Sequence, residues 1–292
     1  MNFAIGIPAY NEEKSIAGII TKLKKKYQTI IVCDDGSSDL TGDISNELGA
    51  IVITHQKNLG YGGAIRSIFL KARELKMDAL VTFDADGQHR IEDIDKVLKP
   101  IIENKADISI GSRFLKKDSK VPKYRKVGIK TITGITNIST GLKISDSQSG
   151  FRAYNKKVLQ KINPSDFGMG ISTEILIKSK KMDFKIIEIP IVVLYEGDTS
   201  TQNPISHGTS VIFSTMKFVS IERPLSFYGI PGIILFSIGI FFTIWTLNIF
   251  SESGKIITNV ALVGIAGLIL GALCLMTTVI LYSMVSVVRE RD

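Results

Sequence analysis

Two long stretches without a charged residue occupy the C-terminal part of this 292-residue chain. The first runs from Pro224 to Ser251 and the second from Ile256 to Val288, with the short polar segment Glu252–Lys255 between them. A helix needs about 20 apolar residues to cross the hydrocarbon core of a bilayer, and both stretches exceed that length. Soluble helices rarely run so far without a charge on one face. The pattern therefore predicts a helical hairpin through a membrane rather than two buried core helices.

Basic residues flank this hairpin on one side. Lys217 and Arg223 precede the first apolar stretch, and Arg289 and Arg291 follow the second, whereas the connecting segment holds only Lys255. By the positive-inside rule, this asymmetry predicts a multi-pass protein of the cell membrane with two spans. Both termini and the domain that precedes the hairpin are expected in the cytoplasm.

Charge and composition narrow the classes of function. The chain has 36 Lys and Arg against 28 Asp and Glu, a net charge of +8, and the charges after Pro224 cancel. The excess therefore belongs to the first part of the chain, where it suits an anionic lipid surface and a phosphorylated substrate. With 45% hydrophobic residues, a disordered or nucleic-acid-binding tail is excluded. Cys33 and Cys274 lie far apart, which argues against a disulfide scaffold or a Cys-rich zinc site.

Residues 1–110 alternate short apolar runs with amphipathic stretches. Strands are predicted at Phe3–Ile7, Thr29–Cys33, Ile51–Thr54, Ala79–Phe83 and Asp107–Ile110, and helices at Glu12–Lys25, Leu40–Leu48, Gly62–Leu75 and Ile91–Glu103. This alternation predicts an α/β fold with a doubly wound, mostly parallel sheet. A further strand is predicted over 186–194, near a sheet edge because it contains Pro190.

The predicted organisation has three parts. The soluble domain covers 1–206, and the two transmembrane helices cover about 225–250 and 258–288. Apolar residues recur at helical spacing over 207–224, which predicts a juxtamembrane helix in the membrane interface, with a plain connector helix as the alternative. Glycines 264, 267 and 271 in the second span predict close helix packing, either within the hairpin or with a second copy of the chain in a homo-oligomer.

Polar residues and glycines follow each of the first five predicted strands. The segments are Pro8–Glu12, Asp34–Asp39, Asn58–Gly63, Asp84–His89 and Gly111–Arg113. In parallel α/β sheets, ligands bind beyond the carboxyl ends of the strands. The five segments therefore predict a ligand site along one edge of the sheet.

The fourth of these segments has the composition of a cation site. Residues i and i+2 of an extended segment point the same way, so the carboxylates of Asp84 and Asp86 are expected to converge, with the Gln88 amide oxygen nearby. Oxygen ligands suit Mg²⁺ or Mn²⁺, and diphosphate oxygens would complete the coordination shell. A solvated turn is the alternative for this segment.

The second and third segments have features of a nucleotide site. Asp35 can accept hydrogen bonds from a base or ribose, and Asp39 is available as the cap of the following helix, which leaves Asp35 for a ligand. The segment Gly60–Gly63 permits close backbone approach at a helix start. An ordinary flexible turn explains those glycines equally well.

Together, these motifs resemble those of the family 2 glycosyltransferases, which have the GT-A fold. Gly111–Arg113, Asp146–Arg152 and the C-terminal hairpin resemble, more narrowly, the polyprenyl-phosphate glycosyltransferases, which include dolichol-phosphate mannose synthases. The resemblance covers nearly the whole chain. It implies a membrane-bound, inverting, metal-dependent enzyme that moves a hexose from a nucleotide-sugar, such as GDP-mannose or UDP-glucose, to polyprenyl or dolichyl phosphate.

The resemblance also implies roles for individual residues. The donor nucleotide would be held by Pro8, Tyr10, Glu12, Asp35 and Asp84. The cation, Mg²⁺ or Mn²⁺, would be held by Asp84, Asp86 and Gln88. The acceptor phosphate would be held by Arg113 and Arg125, which with Asp86 form the expected catalytic set. Such enzymes often carry a later arginine near a Gly-x-Ser, and the corresponding segment here, Tyr195–Thr201, has none.

Two alternatives remain open at this point. An enzyme of the same fold that acts on a glycan or lipid hydroxyl would need a carboxylate general base, for which Glu174 is the candidate; a helix-terminal charge explains Glu174 equally well. A catalytically silent membrane protein that only binds nucleotide-sugar is the second alternative. His89 and His207 are expected to make polar contacts outside the chemistry.

Overall fold

The computed structural model describes residues 1–115, 121–193, 216, 220 and 224–289, without the side chains of 123–125 and 286–289. The chain divides into two units, Met1–Thr215 and Met216–Asp292. Most of the juxtamembrane helix predicted over 207–224 lies outside the described residues, and so does the predicted domain boundary at residue 206.

Seven strands form the sheet of the first unit. They are β1 Phe3–Ala9, β2 Thr29–Asp34, β3 Ile51–Thr54, β4 Ala79–Thr82, β5 Ile108–Ser112, β6 Arg152–Asn155 and β7 Ile186–Pro190. Their order in the sheet is β3-β2-β1-β4-β6-β5-β7. Every pairing is parallel except those of β6, which runs antiparallel between β4 and β5. The predicted mostly parallel sheet is confirmed, and β7, which ends in Pro190, lies at an edge.

Helices cover both faces of this sheet. They are α1 Glu13–Lys24, α2 Thr41–Glu47, α3 Tyr61–Glu74, α4 Ile94–Ile102 with a preceding 3₁₀ turn Ile91–Asp93, α5 Lys123–Thr140, α6 Lys156–Lys161 and α7 Ile171–Lys181. One core contains Ile16 of α1 and Val97 of α4, and the other contains Ile68 of α3 and Leu176 of α7. Burying a side chain of this size contributes about 1.5–3 kcal/mol. The two cores fix the strand ends that carry the polar segments.

Strand β6 is not among the strands predicted from the sequence. The strand has four residues and begins with Arg152, which is 1% exposed. Its guanidinium donates to the carbonyl oxygens of Ser147, Ser149 and Ser172 at 2.7–2.9 Å. A buried charge that binds three carbonyls breaks the hydropathy pattern of a strand, so the pattern missed it. Because β6 enters from the carboxyl ends of β4 and β5, it carries the loop 145–151 to the same edge.

Two long apolar helices make up most of the second unit. A π-helical turn, Leu225–Gly229, leads into α8 Ile230–Ser253, and α9 covers Thr258–Arg289. Both are long and apolar enough to cross a membrane, and their side chains are mostly exposed, unlike those of a core helix. A Cβ on Gly239 would lie 2.4 Å from the backbone nitrogen of Leu268 and 2.7 Å from the carbonyl carbon of Gly267. The small residues are therefore used for packing within the hairpin.

Candidate active site

The five predicted polar segments lie along one edge of the sheet. The parallel strands β1 to β5 all end there, and β6 begins there. Two hydrogen bonds connect neighbouring segments: the Asp35 N–H donates to the Ala9 carbonyl at 2.9 Å, and the Thr82 hydroxyl donates to the Gly150 carbonyl at 2.6 Å. The backbone is thus fixed on both sides of the acidic segment 84–89.

Asp84 is held from three sides by protein groups. The Tyr61 hydroxyl donates to Oδ1 at 3.2 Å, and Nε2 of His89 lies 3.3 Å from Oδ2. A Cβ on Gly150 would lie 2.9 Å and 3.0 Å from the two carboxylate oxygens. Burial raises the pKa of Asp84, but His89, the Tyr61 hydroxyl and the charge of Arg113 outweigh it and lower the pKa. Asp84 is therefore an oriented anion.

Asp86 and Gln88 form the turn after Asp84. Both are half-buried, and the Gln88 N–H donates to Oδ1 of Asp86 at 2.9 Å. Glu12 from the next strand end lies within electrostatic range: burial raises its pKa, the Ser15 hydroxyl opposes the rise, and the charges of Asp86, Asp39 and Asp84 add to it. The edge is thus strongly negative where the cation was predicted.

The residues present fit a hard divalent cation that is shared with a substrate. Within the described part of the chain, no three Asp, Glu, His or Cys side chains form a complete metal site by themselves. Mg²⁺ typically takes one or two carboxylates and completes its shell with water and substrate phosphates. Asp86 and Gln88 offer oxygen ligands of that kind beside the oriented carboxylate of Asp84. The assignment of these three as metal ligands stays a prediction.

Arg113 lies beside this acidic segment and is fixed by a buried carboxylate. Its Nε and Nη2 donate to the two oxygens of Asp146, both at 2.7 Å, and its backbone N–H donates to Oδ2 at 3.1 Å. Asp146 is fully buried, and Arg113 is 16% exposed at its side chain. A bidentate pair of this kind fixes the plane of the guanidinium. Its role as a ligand of the acceptor phosphate stays a prediction.

The loop that carries Asp146 is itself anchored. Glu188 of β7 accepts from the backbone N–H groups of Ser145 and Asp146 at 2.8 Å and 3.0 Å. The Arg152 guanidinium donates to the carbonyl oxygens of Ser147 and Ser149 in the same loop. Burial raises the pKa of Asp146, and the charge and hydrogen bonds of Arg113 lower it more, so the pKa is lowered. The chain thus fixes Arg113 through an anion that remains ionised.

The predicted donor-binding residues lie on the other side of the acidic segment. Pro8 is buried in β1, Tyr10 is 44% exposed, and Glu12 is half-buried with its Oε2 accepting from the Ser15 hydroxyl at 2.8 Å. Glu12 also donates its backbone N–H to Thr41 Oγ1 at 2.8 Å. Their contact with a nucleotide stays a prediction.

Asp35 differs from the expectation that it is available to a ligand. Its Oδ1 lies 2.6 Å from Nδ1 of His55 and accepts from the Leu59 N–H at 2.9 Å, while its Oδ2 accepts from the Gly60 N–H at 2.8 Å. The carboxylate is 4% exposed. Most of its acceptor positions are therefore filled by the protein, because β3 and the following loop lie against the end of β2.

The glycines at the start of α3 are close to the chain itself rather than open to an anion. The N–H groups of Gly62 and Gly63 donate to the Phe167 carbonyl at 2.9 Å and 3.3 Å. A Cβ on Gly62 would lie 2.2 Å from the Asp166 carbonyl oxygen. Of the two sequence-based interpretations, close backbone approach is correct, but the approaching group is the loop 165–168.

Glu174 is a buried structural anchor, and its contacts favour the helix-terminal charge over the general base as the explanation of this residue. The side chain is 1% exposed and accepts from the N–H groups of Ser165 and Asp166 at 2.8–3.0 Å, and Lys178 lies 2.6 Å away. Burial would raise the pKa of Glu174, yet Lys178, the Ser165 hydroxyl and the backbone donors lower it. A carboxylate stabilised in this way is a poor proton acceptor.

Three predicted features fall outside what the structure describes. Arg125 lies in the first turn of α5, and its side chain is outside the described part. His207 and the segment Tyr195–Thr201, which lacks the expected arginine, are outside it entirely.

Sequence reasoning gave no catalytic or binding role to four residues at the site, although three of them lie in segments that it singled out. Tyr61, His89, His55 and Asp146 each contact a predicted site residue. His89 was expected to be a polar contact away from the chemistry, and it instead touches Asp84. The position of His89 within the acidic segment 84–89 could have indicated this contact. The other three are brought in from separate segments by the fold, and the sequence alone holds no signal for their partners.

Comparison with known proteins agrees with this geometry. Residues 4–163 match the family described as "Glycosyl transferase family 2". A UDP-N-acetylglucosamine–dolichyl-phosphate N-acetylglucosaminyltransferase from Methanococcus voltae is 38% identical over 73% of this chain and 91% of its own length. A dolichol-phosphate mannosyltransferase from Pyrococcus furiosus is 34% identical over 80% of this chain and 70% of its own.

A solved structure shares the fold. Glucosyl-3-phosphoglycerate synthase from Mycobacterium tuberculosis, in complex with Mn²⁺, uridine-diphosphate-glucose and phosphoglyceric acid, superposes with a TM-score of 0.59 at 17% identity, over 75% of this chain and 80% of that one. At this identity the likeness concerns the fold alone. With the family match over more than half of its length, the chain belongs to glycosyl transferase family 2 and is a glycosyltransferase.

Proposed function

We propose that this protein transfers a hexose from a nucleotide-sugar to the phosphate of a polyprenyl or dolichyl lipid, with inversion at the anomeric carbon and with Mg²⁺ or Mn²⁺. The observation that carries the proposal is the juxtaposition of an oriented acidic segment with a fixed arginine. Asp84 is held by Tyr61 and His89, and the charge of Arg113 acts on it. Relatives whose names specify dolichyl phosphate as acceptor support the same reading.

The chemistry of a lipid phosphate fits the state of three described carboxylates at and near the site. A phosphate oxygen is already anionic at neutral pH, so it attacks the anomeric carbon without giving up a proton. Asp84, Asp146 and Glu174 all have lowered pKa values, which suits binding and positioning rather than proton abstraction. A hydroxyl acceptor would instead need a carboxylate whose pKa is high enough to remove its proton.

Different residues of the chain would bind the donor and the acceptor. A divalent cation, when bound, stabilises the charge of the departing nucleoside diphosphate, and Asp84, Asp86 and Gln88 would hold it. Arg113, with its orientation set by Asp146, would bind the acceptor phosphate and relieve its repulsion from the donor phosphates. Arg125 would add a second contact. Pro8, Tyr10, Glu12 and Asp35 would hold the nucleoside.

The two apolar helices give a reason for membrane attachment. A polyprenyl phosphate keeps its phosphate at the headgroup level of the bilayer. An enzyme anchored in the same membrane therefore encounters its acceptor by lateral diffusion. The basic residues that flank the hairpin favour a cytoplasmic catalytic domain. Nucleotide-sugar donors would then reach the site from the cytoplasm.

The direct test uses the full chain in lipid nanodiscs with undecaprenyl or dolichyl phosphate, Mg²⁺ and a radiolabelled UDP- or GDP-sugar. Labelled lipid should appear, and chelation of the metal should abolish it. We predict that Asp86→Ala lowers the rate at least about 100-fold. Asp43→Ala, which alters an exposed aspartate on α2, is the matched control and should leave the rate unchanged.

Two results would contradict the proposal. Absence of lipid-linked product with every UDP- and GDP-sugar would reject the reaction. Binding of nucleotide-sugar without turnover on any acceptor would favour the silent binding protein instead.

A further inference from the structure

A buried hydrogen-bond network surrounds Asp35 at the end of β2. Its Oδ1 receives His55 Nδ1 at 2.6 Å and the Leu59 N–H at 2.9 Å, and its Oδ2 receives the Gly60 N–H at 2.8 Å. On the far side of the ring, His55 Nε2 lies 2.8 Å from the Ser67 hydroxyl and 3.6 Å from Cys33 Sγ. Both ring nitrogens of His55 thus have polar partners.

The surroundings determine which ring nitrogen of His55 carries the proton. Nδ1 faces a carboxylate and must donate, so the neutral ring accepts at Nε2. The donors available to Nε2 are the Ser67 hydroxyl and the Cys33 thiol. Burial, with the charges of Asp35 and Asp34, raises the pKa of Cys33 to about 12, so that group stays protonated at neutral pH. We therefore assign His55 as a donor to Oδ1 of Asp35.

Counting acceptor positions shows what Asp35 has left. A carboxylate offers about four acceptor positions, two on each oxygen. His55 and Leu59 fill both positions on Oδ1, and Gly60 fills one of the two on Oδ2. One position on Oδ2 remains, on a side chain that is 4% exposed.

Nucleobases differ in how many adjacent donors they present to a carboxylate. Uracil has a single ring N–H between two carbonyl acceptors. Guanine has a ring N–H beside an exocyclic amino group, a donor pair that both oxygens of one carboxylate can accept together. A carboxylate with one acceptor position left satisfies uracil and leaves one guanine donor unpaired, and an unpaired polar group in a buried contact weakens binding.

We propose that His55 is a specificity-determining positioning residue: by occupying Oδ1 of Asp35 it leaves a single acceptor position, which selects uridine over guanosine nucleotides. The inference rests on the proposed function, in which Asp35 faces the nucleoside, and it names the donor class as a UDP-sugar. His55 itself touches Asp35 rather than the base, so it acts on the donor only through that carboxylate.

The same three side chains have the order of a nucleophilic triad, and that interpretation is weaker. Ser67 lies inside α3, four residues or more from either end, where the neighbouring N–H groups are used by the helix. An acyl-transfer site needs free N–H donors beside the nucleophile to bind the developing oxyanion. Ser67 is better explained as the donor that holds the ring of His55.

Nucleotide affinities of the unaltered full chain test the inference without any variant. Calorimetric titration of the protein in detergent with Mn²⁺ would compare UDP, GDP and inosine diphosphate, whose base keeps the ring N–H of guanine but lacks the amino group. We expect inosine diphosphate to bind about tenfold more tightly than GDP, and UDP more tightly than GDP by at least that factor. Equal or tighter binding of GDP relative to inosine diphosphate would overturn the inference.

Two substitutions at one position test the role of His55. In His55→Leu, Oδ1 loses its donor, so the difference between inosine diphosphate and GDP should shrink to less than about threefold. His55→Asn keeps an N–H near the position of Nδ1 and should retain the discrimination. A His55→Leu protein that melts normally and discriminates as before would overturn the inference.

The outcomes separate this inference from the proposed function. If no nucleotide binds and no sugar is transferred, both fail together. If sugar transfer to lipid phosphate occurs with no discrimination between GDP and inosine diphosphate, the inference about His55 fails alone. A change in kcat of sugar transfer without a change in donor KM for His55→Leu would also contradict a role in donor selection.

Discussion

The carboxylates of this site have different roles because their neighbours differ. Asp84, Asp146 and Glu174 are all bound by protein donors or cations, and each has a lowered pKa. Glu12 has a raised pKa because it is partly buried near other acids. Identical functional groups thus become an oriented anion, a clamp for Arg113 and a loop anchor. Only the surroundings distinguish these roles.

Glu174 offers a clear test at this scale. Glu174→Gln should lower the free energy of unfolding by about 2–3 kcal/mol at pH 7, because the loop 165–168 loses a charged acceptor. Since the folded pKa lies below the ordinary 4.5, the stabilisation is complete above that value and is lost as the pH falls through the folded pKa. The difference between the two proteins should therefore shrink in acid.

Denaturant titration at several pH values measures this effect. Glu47→Gln, an exposed carboxylate on α2, is the control and should change stability by less than about 0.5 kcal/mol. A Glu174→Gln protein with unchanged stability and a large loss of kcat would restore the general-base interpretation.

Sequence reasoning at the residue scale found the groups but not their partners. The segments at Asp35, Asp84 and Arg113 were recognised because each follows a predicted strand. The ring of His55 and the carboxylate of Asp146 come from elsewhere in the chain. Hydropathy and spacing record which residues share an element, whereas these contacts depend on how separate elements meet.

At the scale of elements, the start of α3 and the loop 165–168 form one packed unit. The Phe167 carbonyl accepts from Gly62 and Gly63, and Glu174 holds the loop from the other side. The glycines were predicted to allow close approach, but the approaching partner was not predictable, because the loop lies about 100 residues further along the chain. Strand β6 was missed for a different reason, because the buried charge of Arg152 breaks the hydropathy pattern of a strand.

Gly62→Ala should disrupt this unit. The added Cβ would lie 2.2 Å from the Asp166 carbonyl oxygen and 2.6 Å from that of Gly168, so the loop must move. We expect a loss of about 1–3 kcal/mol in the free energy of unfolding. Gly18→Ala on α1, where the described residues outside the local helix backbone bring no atom within 4 Å of the new Cβ, should instead stabilise by about 0.5–1 kcal/mol. Equal effects of the two substitutions in thermal unfolding would contradict the packing.

A similar prediction about glycine packing applies to the helical hairpin. In Gly239→Ala the new Cβ would lie 2.4 Å from the Leu268 backbone nitrogen, so α8 and α9 must separate. The midpoint of thermal unfolding in detergent should fall. Ser237→Ala, on the exposed side of α8, should leave the midpoint unchanged, and a matching drop there would show that the contact is unimportant.

At the scale of the whole molecule, a family 2 glycosyltransferase domain and two apolar helices share one chain. The α/β fold and the hairpin were predictable because both rest on long, regular patterns of hydropathy. The interfacial helix predicted over 207–224 rests on a shorter pattern of apolar spacing, and most of it lies outside the described residues. Orientation in the membrane remains a prediction from the flanking basic residues.

Cysteine labelling in intact cells tests that orientation. If the catalytic domain is cytoplasmic, a membrane-impermeant maleimide should label Ser253→Cys, next to the turn between α8 and α9, without permeabilisation. Glu47→Cys, on the exposed surface of α2, should be labelled only after permeabilisation. The reverse pattern would place the catalytic domain outside and remove the argument for a cytoplasmic donor. Cys33 is buried and should contribute no background.

The choice of acceptor tests the central claim most directly. The full chain would be given the same polyprenyl chain as its phosphate and as its free alcohol, with one sugar nucleotide and Mg²⁺. We predict transfer to the phosphate alone, with inverted anomeric configuration, because the site holds a fixed arginine and the lowered pKa values of Asp84, Asp146 and Glu174 make them poorly suited to deprotonate a hydroxyl. Transfer to the alcohol at a comparable rate would contradict this account.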